Sequence, residues 1–270
     1  MVILDGKKLA EKILNKLRKE IKKLPSIRLA VVLVGNNPAS LNFIKQKQKS
    51  AEEIGAKFKL YKLDSKIDNQ NLVKEVNKIV KNKFNTGIVI QLPLPKHINI
   101  QEILNLVPWE KDVDALSVDN PIVEPPTASG IMRILEEYDI KAERKNVVIV
   151  GRGKLVGRPL AIMMAKINAN LIICDRKTEN LASKTLKADI LVSATGQPHL
   201  IRENMVKKGV VVVDAGFSKI NNKIIGDVNF EKVKKKASYI TPVPGGVGPV
   251  TVAMLMSNLI KLAKKQYGIH

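Results

Sequence analysis

The chain alternates short apolar runs with longer stretches in which apolar residues recur every three or four positions. Most of the short runs are rich in Val, Ile and Leu and end at glycine, proline or polar residues, the pattern of strands buried on both faces. They predict strands over Arg28–Val34, Lys57–Leu63, Gly87–Ile90, Asn146–Val150, Leu171–Cys174, Asp189–Val192 and Val210–Asp214. Helical periodicity predicts helices over Gly6–Leu24, Pro38–Glu53, Asn69–Lys81, Ile100–Val107, Gly130–Tyr138, Arg158–Asn168, Asn180–Ala188 and Val250–Tyr267. Alternation of strand and helix along the whole length implies an α/β fold with parallel sheets.

Punctuation by proline and glycine divides the chain. Pro121 and Pro125-Pro126 interrupt regular structure, and Pro242-Val-Pro-Gly-Gly-Val-Gly-Pro249 reads as loop. A chain of 270 residues accommodates two modest domains. The expected division is residues 1–118 plus 248–270 for the first and 119–247 for the second, with the terminal helix folding back on the first.

Composition narrows the class. Apolar residues make up 45% and charged residues 26%, enough for a real core and against disorder. No apolar run approaches the ~18–20 residues needed to span a bilayer, and the N-terminus lacks the pattern of a signal peptide. Cys174 is the only cysteine, so no internal disulfide forms and a cytoplasmic location is expected. The net charge of +21 creates a field that attracts anions, whether nucleic acid, membrane or a polyanionic small molecule. The basic residues are spread along the chain, as at Lys16, Lys19, Lys22 and Lys23, without interleaved aromatics. They read as solvated helix faces, and charge alone does not name the partner.

The strongest chemical signal follows the strand Asn146–Val150. Gly151-Arg152-Gly153-Lys154-Leu155-Val156-Gly157-Arg158 is a glycine-rich turn leading into a helix. Glycines let backbone approach a pyrophosphate, and the helix N-terminus offers free N–H groups and a positive dipole. The spacing is one residue longer than the usual dinucleotide fingerprint. A second strand ends at Asp175-Arg176-Lys177-Thr178, where a ribose contact is expected. Asp175 there favours NAD, whereas Arg176, Lys177 and Arg152 suit a 2′-phosphate. The basic groups outnumber the acid, so NADP is the expected cofactor and NAD the alternative. Ala194-Thr195-Gly196 and Asp214-Ala215-Gly216 also stand at strand ends, where open α/β sheets bind ligands.

Other candidates lie in the first half. Phe43 and Lys47 are four residues apart on one helix and share a face. Taken alone, they read as a core aromatic and a solvent lysine; together they offer a ring beside an ammonium. Gln91, at a strand end and followed by Leu92-Pro93, is a rigidly placed amide. Asp112 and Asp114 flank Val113 in a turn, where one of the two acids suffices to face a cleft. His97, His199 and His270 show no metal spacing, so no metal is expected.

Together these motifs resemble the bifunctional methylenetetrahydrofolate dehydrogenase/cyclohydrolases. The resemblance runs from Val34-Gly-Asn-Asn-Pro-Ala-Ser40 and Lys47, through Val89-Ile-Gln-Leu-Pro-Leu-Pro95, Lys111-Asp-Val-Asp114 and Gly151–Pro159. It ends in Thr241-Pro-Val-Pro-Gly-Gly-Val-Gly-Pro249 with Thr251. It implies an N-terminal α/β catalytic domain and a Rossmann-type domain with a cleft between them. It also implies oxidation of 5,10-methylenetetrahydrofolate with NADP+ and hydrolysis of the methenyl product to 10-formyltetrahydrofolate. Lys47 matches the catalytic lysine, Gln91 the glutamine that positions it, and Asp114 the acid that holds the pterin. Phe43, Leu92, Pro93, Pro244, Gly245 and Gly246 are expected at the folate. Gly151, Arg152, Gly153, Val156, Gly157, Arg176, Ala194, Thr195, Gly196 and Asp214 are expected at the dinucleotide. A homodimer through the cofactor domain is implied, with tetrahydrofolates as substrates and neither nucleic acid nor membrane as partner.

Four positions depart from the family pattern. Phe43 stands where the family has tyrosine, so ring stacking survives and a hydroxyl is lost; the cyclohydrolase step is the one this touches. Ala115 replaces glycine, Pro126-Thr-Ala-Ser129 replaces a Pro-Cys-Thr-Pro-type segment, and Gly153 replaces serine.

Overall fold

The computed structural model describes residues 1–116, 120–220 and 223–269. The first half contains β1 (Val2–Ile3), α1 (Gly6–Ile21), β2 (Arg28–Val34), α2 (Pro38–Ile54), β3 (Lys57–Leu63), α3 (Asn69–Lys81), β4 (Gly87–Ile90) and α4 (Ile100–Asn105). The second contains α5 (Pro126–Glu137), β5 (Asn146–Val150), α6 (Gly157–Lys166), β6 (Asn170–Cys174), α7 (Leu181–Thr185), β7 (Ile190–Ser193) and β8 (Val211–Asp214). It closes with β9 (Ser218–Ile220), β10 (Lys223–Ile225), α8 (Phe230–Val233), β11 (Tyr239–Ile240) and α9 (Val247–Tyr267).

Two compact units result: Met1–Ala10 with Thr127–Thr251, and Glu11–Pro126 with Val252–His270. The boundary expected at 118/119 falls on residues 117–119, outside the described ones. At the N-terminus the division differs from the expected one, because β1 pairs in parallel with β11 and so joins the larger sheet. Two proline readings also change. Pro126 opens α5 rather than blocking it, and Val247-Gly248-Pro249 forms the first turn of α9. Proline lacks only an N–H that has no partner in a first turn anyway.

The larger sheet has strand order β1-β11-β8-β7-β5-β6, and every pair in it is parallel. β5 lies between β6 and β7, so the chain leaves β5 first to one side and later to the other. Ligands bind open α/β sheets at such a reversal, beyond the carboxyl ends of the strands. Val148, Val150, Leu191 and Val212 pack with Val206, Val233 and Ile240 in one core. Strands buried on both faces carry no alternation of polar residues, which is why they were legible as continuous apolar runs.

The unit Glu11–Pro126 with Val252–His270 is built on a three-stranded parallel sheet of order β3-β2-β4. Ala30, Val32, Ile88 and Ile90 pack against Leu72, Val76 and Ile79 of α3. Here too the central strand, β2, sits at a reversal of strand order. α9 is fastened to this unit by Asn258, whose Nδ2 donates to the carbonyls of Val113 (2.9 Å) and Glu124 (2.8 Å), and by a Lys264–Glu20 ion pair.

Candidate active site

The unit with the six-stranded sheet carries a cavity of about 670 Å³ at the reversal of that sheet, a volume in the range of small-molecule and cofactor sites. Gly151, Arg152 and Gly153 wall it after β5; Asp175, Arg176, Lys177 and Thr178 after β6; Ala194, Thr195 and Gln197 after β7. Gly151 has φ +113°, and a side chain there would run into the carbonyl of Ala194. Only glycine therefore lets the turns after β5 and β7 approach so closely. Gly153 faces open space, so its lack of a side chain is not forced by packing. Of the residues expected at the dinucleotide, Gly151, Arg152, Gly153, Arg176, Ala194 and Thr195 line this cavity. Val156, Gly157, Gly196 and Asp214 are not among the lining residues. Gly157 is buried instead against the carbonyl of Gly151, tightening the phosphate turn from behind.

The two signals that conflicted at Asp175 separate in the structure. Its Oδ1 accepts from the backbone N–H of Lys177 (2.9 Å), and its own N–H donates to Thr178 Oγ1 (2.8 Å). The carboxylate thus closes a turn that presents Arg176 and Lys177. Glycine turn, volume and three cations (Arg152, Arg176, Lys177) fit a dinucleotide bearing an extra phosphate.

The carboxylate of Asp214, a residue expected at the dinucleotide, is engaged in internal hydrogen bonds. Its side chain is buried, and its Oδ1 accepts from the N–H groups of Gly216 (2.8 Å) and Asp227 (3.1 Å), its Oδ2 from that of Val228 (2.9 Å). Burial pushes its carboxyl up to about 7; the three N–H bonds oppose the shift and the charge of Asp227 adds to it.

In the unit with the three-stranded sheet, three expected residues come together. The side chain of Asn37 caps α2 by accepting from the N–H groups of Ala39 and Ser40, with Pro38 in the first turn. Along that helix Ser40, Ile44, Lys47, Ala51 and Ile54 are the buried positions, so Lys47 occupies the inward stripe. Its Nζ donates to Gln91 Oε1 at 3.1 Å. Gln91 follows β4, and its Nε2 donates to the carbonyl of Leu92 at 2.8 Å, which fixes the amide's orientation. Both side chains are buried, and a lysine there requires such a partner.

The paired acids divide their work. Asp112 is buried and accepts from the N–H groups of Asp114 (3.2 Å) and Leu116 (2.8 Å), holding the turn. Asp114 is half-buried. Desolvation raises its carboxyl above the ordinary range, with Lys47 pulling it down and Asp112 pushing it up. Lys47 and Asp114 thus interact electrostatically. Ala115, next in the chain, has φ +51°, the left-handed region that favours glycine. Phe43 and Leu92 are half-buried and Pro93 exposed in the same unit. Gly245 and Gly246 are buried in the other unit, where Gly245 accepts from the N–H of Lys7 at 3.1 Å; Pro244 there is exposed. Among the described residues no His, Cys, Asp and Glu side chains group as a metal site, and no helix is long and apolar enough to cross a membrane.

The chain matches two family models. Residues 4–114 match the catalytic domain of tetrahydrofolate dehydrogenase/cyclohydrolase, and residues 125–267 its NAD(P)-binding domain. It is 45% identical to the bifunctional protein FolD of Thermodesulfovibrio yellowstonii over 98% of this chain and 97% of that one. To the protein of the same name from Aquifex aeolicus it is 44% identical, over 98% and 96%. Among solved structures it resembles the Campylobacter jejuni enzyme FolD, methylenetetrahydrofolate dehydrogenase/cyclohydrolase (TM-score 0.95, 42% identity, 98% and 99% covered). It also resembles the Trypanosoma brucei dehydrogenase-cyclohydrolase complexed with NADP cofactor and inhibitor (TM-score 0.93, 33% identity, 99% and 98% covered).

Proposed function

The chain belongs to the tetrahydrofolate dehydrogenase/cyclohydrolase family, and from that premise we propose how its own residues divide the family's work. The enzyme oxidises 5,10-methylenetetrahydrofolate with NADP+ and hydrolyses the methenyl product to 10-formyltetrahydrofolate, in one-carbon metabolism. When bound, the dinucleotide supplies the hydride acceptor. Gly151 and Gly153 admit its pyrophosphate, and Arg152, Arg176 and Lys177 hold the additional phosphate, which sets NADP over NAD.

The observation that carries the hydrolytic assignment is the buried Lys47–Gln91 hydrogen bond. Hydrolysis adds the oxygen of water to the methenyl carbon, breaks one carbon–nitrogen bond and releases one proton. Lys47 carries that proton from the attacking water. Gln91 aims the amine by holding one of its N–H groups, and positioning of this kind is worth several orders of magnitude in rate. Asp114 binds the pterin, which presents N–H donors that suit a carboxyl acceptor. Phe43 stacks on the substrate, and the absence of a tyrosine hydroxyl leaves the proton path with Lys47 alone.

The protein acts as a cytoplasmic homodimer. β6 is the outer strand of the larger sheet, and Ile173 on it and Ile162 on α6 are 43% and 60% exposed. An edge strand with bare apolar side chains suits pairing with a second copy. The +21 charge is used on polyanionic folate and dinucleotide rather than on nucleic acid.

The test is formation of the methenyl chromophore from methylenetetrahydrofolate, run in parallel with NADP+ and NAD+, followed by hydrolysis of purified methenyl compound. NADP+ is expected to support the faster oxidation. Lys47→Met is expected to abolish hydrolysis; full hydrolysis by that variant removes Lys47 from the mechanism.

A further inference from the structure

Asp227 has no place in the roles assigned so far, yet it is fully buried. Its Oδ2 accepts three hydrogen bonds: from Ser193 Oγ (2.8 Å), Thr195 N (2.7 Å) and Thr195 Oγ1 (2.9 Å). Its Oδ1 is equally buried and has no hydrogen-bond partner among the described residues. Thr195 Oγ1 in turn accepts from the N–H of Gln197 at 3.2 Å. Thr195 and Gln197 both wall the cavity beyond β5, β6 and β7. A single carboxylate oxygen therefore sets the shape of the turn after β7.

Asp227 is itself held in place. Its N–H donates to Asp214 Oδ1 (3.1 Å), and its carbonyl accepts from the N–H of Ile201 (3.0 Å). The backbone of Gly216 passes so close to the Asp227 carboxylate, and that of Gly226 so close to the Asp214 carboxylate, that a Cβ at either glycine would collide. Burying two carboxyls side by side is costly. A turn that served only to connect two elements has cheaper ways to close, through backbone bonds alone.

We propose that Asp227 is a positioning residue of the dinucleotide pocket: without touching the cofactor, it holds the Thr195–Gln197 turn in the shape the cofactor meets. The inference rests on the dinucleotide reading of the cavity. Its consequence is specific to binding, because methenyl hydrolysis consumes no dinucleotide.

The experiment measures NADP+ dissociation constants by calorimetry on the full chain, with both activities, for wild type, Asp227→Ala and Asp227→Asn. Asp227→Ala removes the acceptor of three donors and is expected to weaken NADP+ by about tenfold or more. Oxidation at saturating NADP+ should fall far less, and methenyl hydrolysis should stay within about twofold. Asp227→Asn keeps one oxygen for the three donors and sets its amide where Oδ1 makes no bond. It should return the dissociation constant to within about threefold of wild type. NADP+ binding by Asp227→Ala equal to wild type overturns the proposal. So does joint loss of binding and hydrolysis, which makes Asp227 a support of the fold at large. Should Asp227→Ala not fold, Ser193→Ala removes one donor to Asp227 Oδ2 from a residue that does not line the cavity and is expected to weaken NADP+ about threefold or more; an unchanged constant refutes the idea. Wild type failing to bind NADP+ sinks the reading of the cavity rather than the role of Asp227.

Discussion

Asp214 makes the stability of the unit with the six-stranded sheet depend on pH in an unusual direction. Its carboxyl lies at about 7 in the folded chain against an ordinary 3.8. Between those values the unfolded chain is ionised at this position while the folded chain is protonated, so folding takes up a proton. The contribution is therefore fully present below about pH 4 and is lost as pH rises through about 7. At about 1.4 kcal/mol for each tenfold change in the protonation equilibrium, the whole span is worth about 4 kcal/mol, of which about 3 kcal/mol falls between pH 5 and 8. Asp214→Asn removes the titration. It also sets an amide against the N–H of Val228 in place of Oδ2, a cost of ~1–3 kcal/mol that does not vary with pH. Urea unfolding of both proteins at several pH values isolates Asp214 together with its coupling to Asp227, because titrating groups that do not interact with Asp214 cancel in the difference. Far-UV circular dichroism is the appropriate probe, since the single tryptophan, Trp109, belongs to the other unit. The stability of wild type relative to Asp214→Asn should fall by about 3 kcal/mol from pH 5 to pH 8. A difference that stays flat, or grows with pH, refutes the reasoning.

Three further outcomes follow from local geometry. Gly151→Ala forces a side chain into the Ala194 carbonyl at φ +113° and should abolish measurable NADP+ binding. Ala115→Gly relieves a left-handed alanine at φ +51°. That relief, ~1–2 kcal/mol, exceeds the added freedom of the unfolded chain, ~0.4–1 kcal/mol, so urea unfolding should show a gain of up to about 1 kcal/mol. Ile173→Lys places a charge on the outer strand of the larger sheet and should shift light-scattering mass from dimer to monomer; an unchanged dimer places the interface elsewhere.

How much of this was legible depended on the range of the interactions involved. The strands buried on both faces announced themselves, and β2, β4 and β5 begin and end where the apolar runs do. β1 and β11, of two residues each, and the antiparallel β9–β10 pair are too short to carry a period. Lys47 carried a local signal that reading it as one solvent lysine among many passes over: it lies on the stripe of Ser40, Ile44, Ala51 and Ile54, where an unpaired lysine would be expelled. Gln91, its partner, is 44 residues away, and only the family resemblance joined the two. Asp227 gave no signal at all, because its side-chain partners lie 32 and 34 residues earlier. The internal bonding of Asp214 is hidden from the sequence for a complementary reason. A strand end before a glycine looks like a pocket residue, but whether its carboxyl turns outward or back onto the chain is decided by tertiary contacts.

The acids near both sites share one arrangement, and it bears on the excess of positive charge. Asp112 spends its carboxylate on the N–H groups of Asp114 and Leu116, Asp175 on that of Lys177, Asp214 on those of Gly216, Asp227 and Val228, and Asp227 on Thr195 and Ser193. Each turn so closed presents other atoms outward: Asp114, the Arg176–Lys177 pair and the Thr195 wall. Had Asp112, Asp214 and Asp227 faced the ligands, they would have repelled the phosphates of one and the carboxylates of the other. These three are turned inward and buried, their oxygens held by backbone N–H groups and hydroxyls, while Asp175 stays on the cavity wall with its Oδ1 engaged by the N–H of Lys177, so the field of the basic surface reaches both polyanions less diminished. The cost of burying them falls on stability, as at Asp214, and the benefit falls on encounter and binding.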